Sequence, residues 1–96
     1  MDRVLKELST IGAEMGVRRL VLFGSRARGD HRSKSDYDIA VFGSLTEVEK
    51  AKLLGKIDEI ETLKKIDLVF ADDTGSEDLL ERVETEGLVF YEEGRE

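Results

Sequence analysis

Gly24-Ser25-Arg26-Ala27-Arg28-Gly29, a spacer from Asp30 to Lys34, and Ser35-Asp36-Tyr37-Asp38-Ile39-Ala40-Val41 form the stretch from which the rest of the chain can be read. It begins where the β-rich run Arg19-Leu20-Val21-Leu22-Phe23 stops. It ends inside a second such run, Tyr37 to Phe42, closed by Gly43. Residues 24–35 carry no apolar pattern, so they are loop, or a helix start followed by loop. A glycine directly after a strand lets the backbone approach a ligand closely. A turn entering a helix there would point free N–H groups at a phosphate, and the Ser25 hydroxyl would add a donor. On the second predicted strand, Asp36 and Asp38 share one face, while Tyr37, Ile39 and Val41 take the opposite, buried one. Neighbouring carboxylates repel unless a cation or proton intervenes. Hard oxygen ligands of this kind suit Mg²⁺, which is held by one or two carboxylates plus substrate phosphates.

A third acid fits the same logic. Asp67 interrupts the apolar run Ile66-Asp67-Leu68-Val69-Phe70, where an unpartnered charge is costly. If this strand lies beside that of Asp36 and Asp38, three carboxylates can meet at one site. Three carboxylates around two divalent ions is an arrangement for in-line phosphoryl or nucleotidyl transfer. Each feature alone also has a structural reading. Gly24-Ser25 can be an ordinary turn, Asp36 and Asp38 can be saturated by Arg26 and Arg28, and Asp67 can pair with Lys64 or Lys65. Arg28 can bond Asp30, His31 can be solvated, and Tyr37 belongs to the core. The conjunction of the features, in one order, favours a site.

Outward from this stretch, Val4, Leu5, Leu8, Ile11 and Met15 recur at helical spacing over 2–16, and Gly16 is a natural stop. Ser44 and Thr46 are both N-cap candidates with a glutamate three residues on. The helix that follows places Val48, Ala51, Leu54, Ile57 and Ile60 on one face. Ile66 to Ala71 reads as a third strand. Ser76, followed by Glu77 and Asp78, starts a helix that buries Leu79, Leu80 and Val83 and ends at Gly87. Leu88 to Tyr91 forms a short edge strand. The order helix, strand, loop, strand, helix, strand, helix, strand implies an α/β (α+β) fold: a small mixed sheet with helices packed on one face.

Composition excludes several classes. The chain has 96 residues, enough for one domain over 1–96. Without cysteine there is no disulfide framework, thiolate metal site or cysteine nucleophile, and a single histidine cannot build a multi-histidine zinc site. No apolar run approaches the roughly 20 residues that cross a bilayer, and residues 1–10 lack the apolar core of a signal peptide. The chain reads as cytoplasmic, with no membrane partner. Net charge is −7, but residues 18–35 carry six basic residues against one acid. Residues 72–96 carry ten acids and two arginines. The first segment suggests a local anion site, the second a solvated helix face or a surface for a basic partner. Direct nucleic-acid binding is not expected on this balance.

The string GSRARG, a short spacer and SDYDIAV closely resembles the signature of the DNA polymerase β-like nucleotidyltransferases, and in so short a chain resembles their minimal nucleotidyltransferases. That resemblance implies the following roles. Gly24 and Ser25 bind a nucleoside triphosphate, with Arg26 and Arg28 as phosphate contacts by charge. Asp36 and Asp38 hold two Mg²⁺ ions, and Asp67 ligates one and helps activate the acceptor hydroxyl. ATP is the implied substrate. The implied partner is a HEPN-domain RNase toxin, onto a tyrosine of which AMP is transferred, making the chain an antitoxin. Two alternatives stand beside it: an antitoxin that neutralises its partner by contact alone, and transfer to a small-molecule hydroxyl, which the lack of an acceptor-binding domain disfavours.

Overall fold

Asp2 stands at the start of the first helix. Its Oδ1 accepts from the amides of Val4 (2.7 Å) and Leu5 (3.3 Å), so it caps the first helix instead of joining it. The elements are α1 (Arg3–Met15), β1 (Arg19–Phe23), α2 (Ser25–Arg28), β2 (Tyr37–Phe42), α3 (Glu47–Asp58), β3 (Ile66–Phe70), α4 (Glu77–Glu86) and β4 (Leu88–Glu92). The computed structural model describes residues 2–28 and 36–94, with Ser25 and Arg28 described by backbone alone. Gly29, the spacer from Asp30 to Lys34, His31 within it, and Ser35 therefore lie outside the described residues, as do the roles expected of them.

The four strands form one mixed sheet in the order β3-β2-β1-β4. β1 runs antiparallel to both β2 and β4, and β2 runs parallel to β3. The expected mixed α+β sheet is thus present. Strand alternation sorts its side chains into two layers. Leu20, Leu22, Tyr37, Ile39 and Val41 join Val4 and Leu8 of α1 and Leu53 and Ile57 of α3 in the larger core. Val21, Phe23 and Ala40 point the other way and are covered by Val83 and Leu79 of α4. Helices α1 and α3 share one face as expected. Helix α4 lies on the second face, because that face also carries apolar residues that need cover.

Local signals explain most boundaries. Gly16 ends α1 in the left-handed region, at φ 72°. Of the two candidate caps, Thr46 starts α3: its hydroxyl accepts from the Glu49 amide while Glu49 Oε1 accepts from the Thr46 amide. The buried face of α3 keeps Ile57 of the expected one, with Ile60 just past the helix packed on the same core, but turns away from Val48 and Leu54. Leu53 and Ile57 are buried, whereas Val48 and Leu54 are 65% and 47% exposed. Leu53 and Ile57 are four residues apart and so lie on one stripe, which faces α1. Below Leu53 the stripe continues with Lys50, whose ammonium lies 5.2 Å from the Phe70 ring centroid and pairs with Asp73. Among the described residues, no helix is long and apolar enough to cross a membrane.

Candidate active site

The parallel pairing of β2 with β3 puts Asp38 directly opposite Asp67. Partners on neighbouring parallel strands point to the same face, with backbones about 4.8 Å apart. That face is the one covered in part by α4, since Asp67 alternates with Ile66 and Leu68 of the larger core. Asp36 precedes β2 by one residue. Asp38 and Asp67 are half-buried and Asp36 is exposed, so none of the three is buried in the apolar interior. The strand adjacency on which the trio depends is present.

Gly24 closes the site from the β1 side. Phe23 is the partner of Asp38 across the sheet, and Gly24 follows it at φ +78°. A Cβ on Gly24 would overlap Asp38 Oδ2 and sit 3.3 Å from Cγ. The glycine is therefore required twice, by its backbone angle and by the carboxylate packed against it. The turn formed by Gly24 and Ser25 borders Asp38.

Lysine occupies part of the acidic face. The Lys65 amide donates to Asp36 Oδ1 at 3.1 Å, and Lys65 Nζ lies 3.3 Å from Asp67 Oδ1. The pairing of Asp67 with Lys65 is one that the sequence suggests. With these contacts in place, no group of three acids closes to metal-ligating distance among the described residues. The donor chemistry nevertheless fits a hard divalent cation. Two carboxylates stand in register on one face, and Lys65, 72% exposed, is a cation that solvent or another charge can replace.

Two further cations merit placement. Arg82 of α4 lies on the acid-bearing face, its guanidinium 5.7 Å from the ring centroid of Phe23. Sequence reading passed over Arg82, which is remote from the motif in sequence; only the packing of α4 brings it there. Arg26 takes a different position, with its guanidinium 4.1 Å from the ring centroid of Tyr37. Tyr37 is buried, as its core assignment required, and its hydroxyl donates to Asp2 Oδ2 at 2.7 Å. Burial, then the hydrogen bond to Asp2 and its charge, pushes the Tyr37 phenol up to about 12. Burial alone would raise the Asp2 carboxyl. The hydrogen bonds from Tyr37, Val4 and Leu5 and the charge of Arg26 outweigh it and hold the group below its ordinary value.

A cavity of 540 Å³ lies between α3 and β3, lined by Leu54, Ile57, Ile60, Ile66 and Leu68 among others. The acids do not line it, because Ile66 and Leu68 face the larger core while Asp67 faces away.

Comparison with known proteins shows the family and the fold. Residues 6–96 match the family model for polymerase beta, nucleotidyltransferase. The chain belongs to the polymerase β nucleotidyltransferase family. Among solved structures, a toxin–antitoxin crystallised with AMP-PNP is 23% identical, with a TM-score of 0.69 over 94% of this chain and 74% of that one. A mutant MntA–HpeT toxin–antitoxin is 21% identical, with a TM-score of 0.68 over the same shares, 94% and 74%. A protein from Sulfolobus solfataricus described as a nucleotidyltransferase is 22% identical, with a TM-score of 0.56 over 97% of this chain and 84% of that one. At these identities the likeness shows the shared fold. No curated protein gives a significant match.

Proposed function

We propose that this family member transfers a nucleoside monophosphate, AMP from ATP, to a hydroxyl group. The acceptor in this reading is a tyrosine of a HEPN-domain RNase toxin, and the chain is its antitoxin. One observation carries the chemistry: Asp38 and Asp67 face each other across parallel strands, with the Gly24-Ser25 turn packed on Asp38. The two toxin–antitoxin structures of similar fold, one holding AMP-PNP, support the biological setting.

In this reading Gly24 and Ser25 receive the triphosphate, and Asp36, Asp38 and Asp67 hold Mg²⁺. Mg²⁺ held by these carboxylates would neutralise phosphate charge in an in-line displacement. The chain's own residues supply the rest. Asp67, at the open edge of the sheet, is the carboxylate placed to accept a hydrogen bond from an incoming acceptor hydroxyl. A divalent cation held by Asp67 would take the place of the exposed Lys65 ammonium there. Lys65 and Arg82 then supply positive charge to the phosphates on that face. Pyrophosphate is the leaving group. Arg28 is a further phosphate contact in this scheme.

The test is transfer of label from α-labelled ATP to the cognate toxin in the presence of Mg²⁺. Asp36→Ala and Asp38→Ala are each expected to abolish it. Labelling that survives both changes overturns the assignment. The engagement of Asp67 by Lys65 favours one other reading, neutralisation by contact without catalysis. An Asp36→Ala, Asp38→Ala double variant that still suppresses toxicity in cells would select that second reading.

A further inference from the structure

A single helical turn does not hold itself. Helix α2 spans only Ser25–Arg28, and a turn of this length is far below the size at which a helix is stable alone. It must be fastened by tertiary contacts. Ala27 packs against the larger core. The second fastening is Arg26, stacked on the Tyr37 ring at 4.1 Å. That ring is immobilised at both ends. Its body is buried at 4% exposure, and its hydroxyl is bonded to Asp2 Oδ2. The other oxygen of Asp2 caps α1. A continuous link thus runs from the N-terminus of α1, through Tyr37, to the residue immediately after Ser25.

We propose that Asp2, Tyr37 and Arg26 form an anchor that positions the Gly24-Ser25 turn for the triphosphate, and that Arg26 acts through this anchor and not as a phosphate contact. This rests on the nucleotidyltransferase reading for its ligand, but not for its geometry. Two observations set Arg26 apart from a phosphate ligand. Its guanidinium lies on the ring of Tyr37, whose side chain enters the layer opposite to that of Asp38 and Asp67. Its charge is also felt by Asp2, which is outside the acidic trio. All three are positioning residues: they hold the turn, and the turn meets the nucleotide.

The two roles differ in the sign of one substitution. Asp2→Asn keeps an oxygen to cap α1, since asparagine caps as well as aspartate. It removes the negative charge beside Arg26 and weakens the bond from Tyr37. An anchor loosened in this way loses nucleotide affinity. An arginine freed from a competing carboxylate would gain it. We expect Asp2→Asn and Tyr37→Phe each to weaken Mg–AMP-PNP binding about three- to tenfold, the size of one hydrogen bond. The double variant should be no weaker than the worse single, because both act on the same bond. At saturating ATP, the turnover of each single variant should stay within about twofold of wild type, since the loss is in binding. Amide hydrogen exchange at residues 26–28 of the ligand-free chain should quicken about three- to tenfold in both, with α3 unchanged.

Tighter AMP-PNP binding by Asp2→Asn overturns the anchor in favour of a direct phosphate contact. Unchanged binding together with unchanged exchange in both variants also overturns it. Should the wild-type chain fail to bind AMP-PNP, the functional reading falls. The exchange measurement, which needs no nucleotide, then decides the anchor alone.

Discussion

Replacing Gly24 with alanine tests the site geometry directly, because two separate costs fall on one position. Gly24 lies at φ +78°, where an L-residue with a Cβ is disfavoured by about 1–2 kcal/mol. The new Cβ also overlaps Asp38 Oδ2, so the carboxylate must leave its place. Moving a half-buried side chain off its rotamer adds about 0.5–1.5 kcal/mol. The expected loss is therefore about 1.5–3.5 kcal/mol, a drop in Tm of about 6–28 °C for a domain of this size. Gly16 provides the matched control. It sits at φ +72° with nothing within 4 Å of an added Cβ, so Gly16→Ala incurs the backbone cost alone. The gain from a stiffer unfolded chain is common to both substitutions and cancels in the comparison. Urea denaturation of the two variants should show Gly24→Ala less stable than Gly16→Ala by about the Asp38 term. Under the proposed function, nucleotidyl transfer by folded Gly24→Ala should fall about a hundredfold, as a misplacement near 1 Å can do. Equal losses at the two glycines, or wild-type transfer by Gly24→Ala, would refute the packing of Gly24 on Asp38 as the basis of the site.

Asp67→Asn should leave stability within about 0.5 kcal/mol, because its pair with Lys65 is exposed at 41% and 72%. The same change should lower toxin labelling at least about a hundredfold; a stable variant with full labelling removes Asp67 from the site. Thr46→Ala breaks the reciprocal cap of α3 and should cost about 1 kcal/mol in urea denaturation, while Ser44→Ala should cost nothing measurable. Stability should also depend on the ionisation of Tyr37, which faces Asp2, Arg26 and Arg3. Its phenol is raised to about 12, so the folded chain holds that proton more tightly than the unfolded chain does. This stabilisation is whole below pH of about 10 and is lost as pH rises towards about 12. Phenolate absorbance should show a late transition that Tyr37→Phe removes; ionisation of Tyr37 near pH of about 10 would refute the buried bond to Asp2.

The parts of this fold that could be read from sequence are those decided within one turn or one strand. Gly16, the Thr46–Glu49 box and Ser76 act on neighbours within four residues, and the helix ends they imply are the ones observed. Alternation in Tyr37-Asp38-Ile39 separated the acid from the core before any partner strand was known, and the structure keeps that separation. Helix α3 shows where local pattern fails. Leu53 and Leu54 are both leucine, and Ile57 follows at helical spacing from either. Only the position of α1 decides that Leu53 enters the core and Leu54 stays outside.

The acidic site divides along the same line. Residue types on β2 and β3 suggested carboxylates that could meet, but the meeting depends on register. A slip of one residue between β2 and β3 would set Asp38 against Ile66 or Leu68 and turn Asp67 to the opposite face relative to Asp38. The register is held by the apolar ladder on the far face, where Tyr37, Ile39 and Val41 stand opposite Ile66, Leu68 and Phe70. The larger core therefore places the charges on the surface that carries the proposed chemistry. The anchor through Tyr37 extends this coupling. Asp2 and Tyr37 are 35 residues apart, and no spacing rule connects them. The same β2 strand thus presents Asp38 to one face and, one residue earlier, fastens the turn that packs on Asp38 from the other.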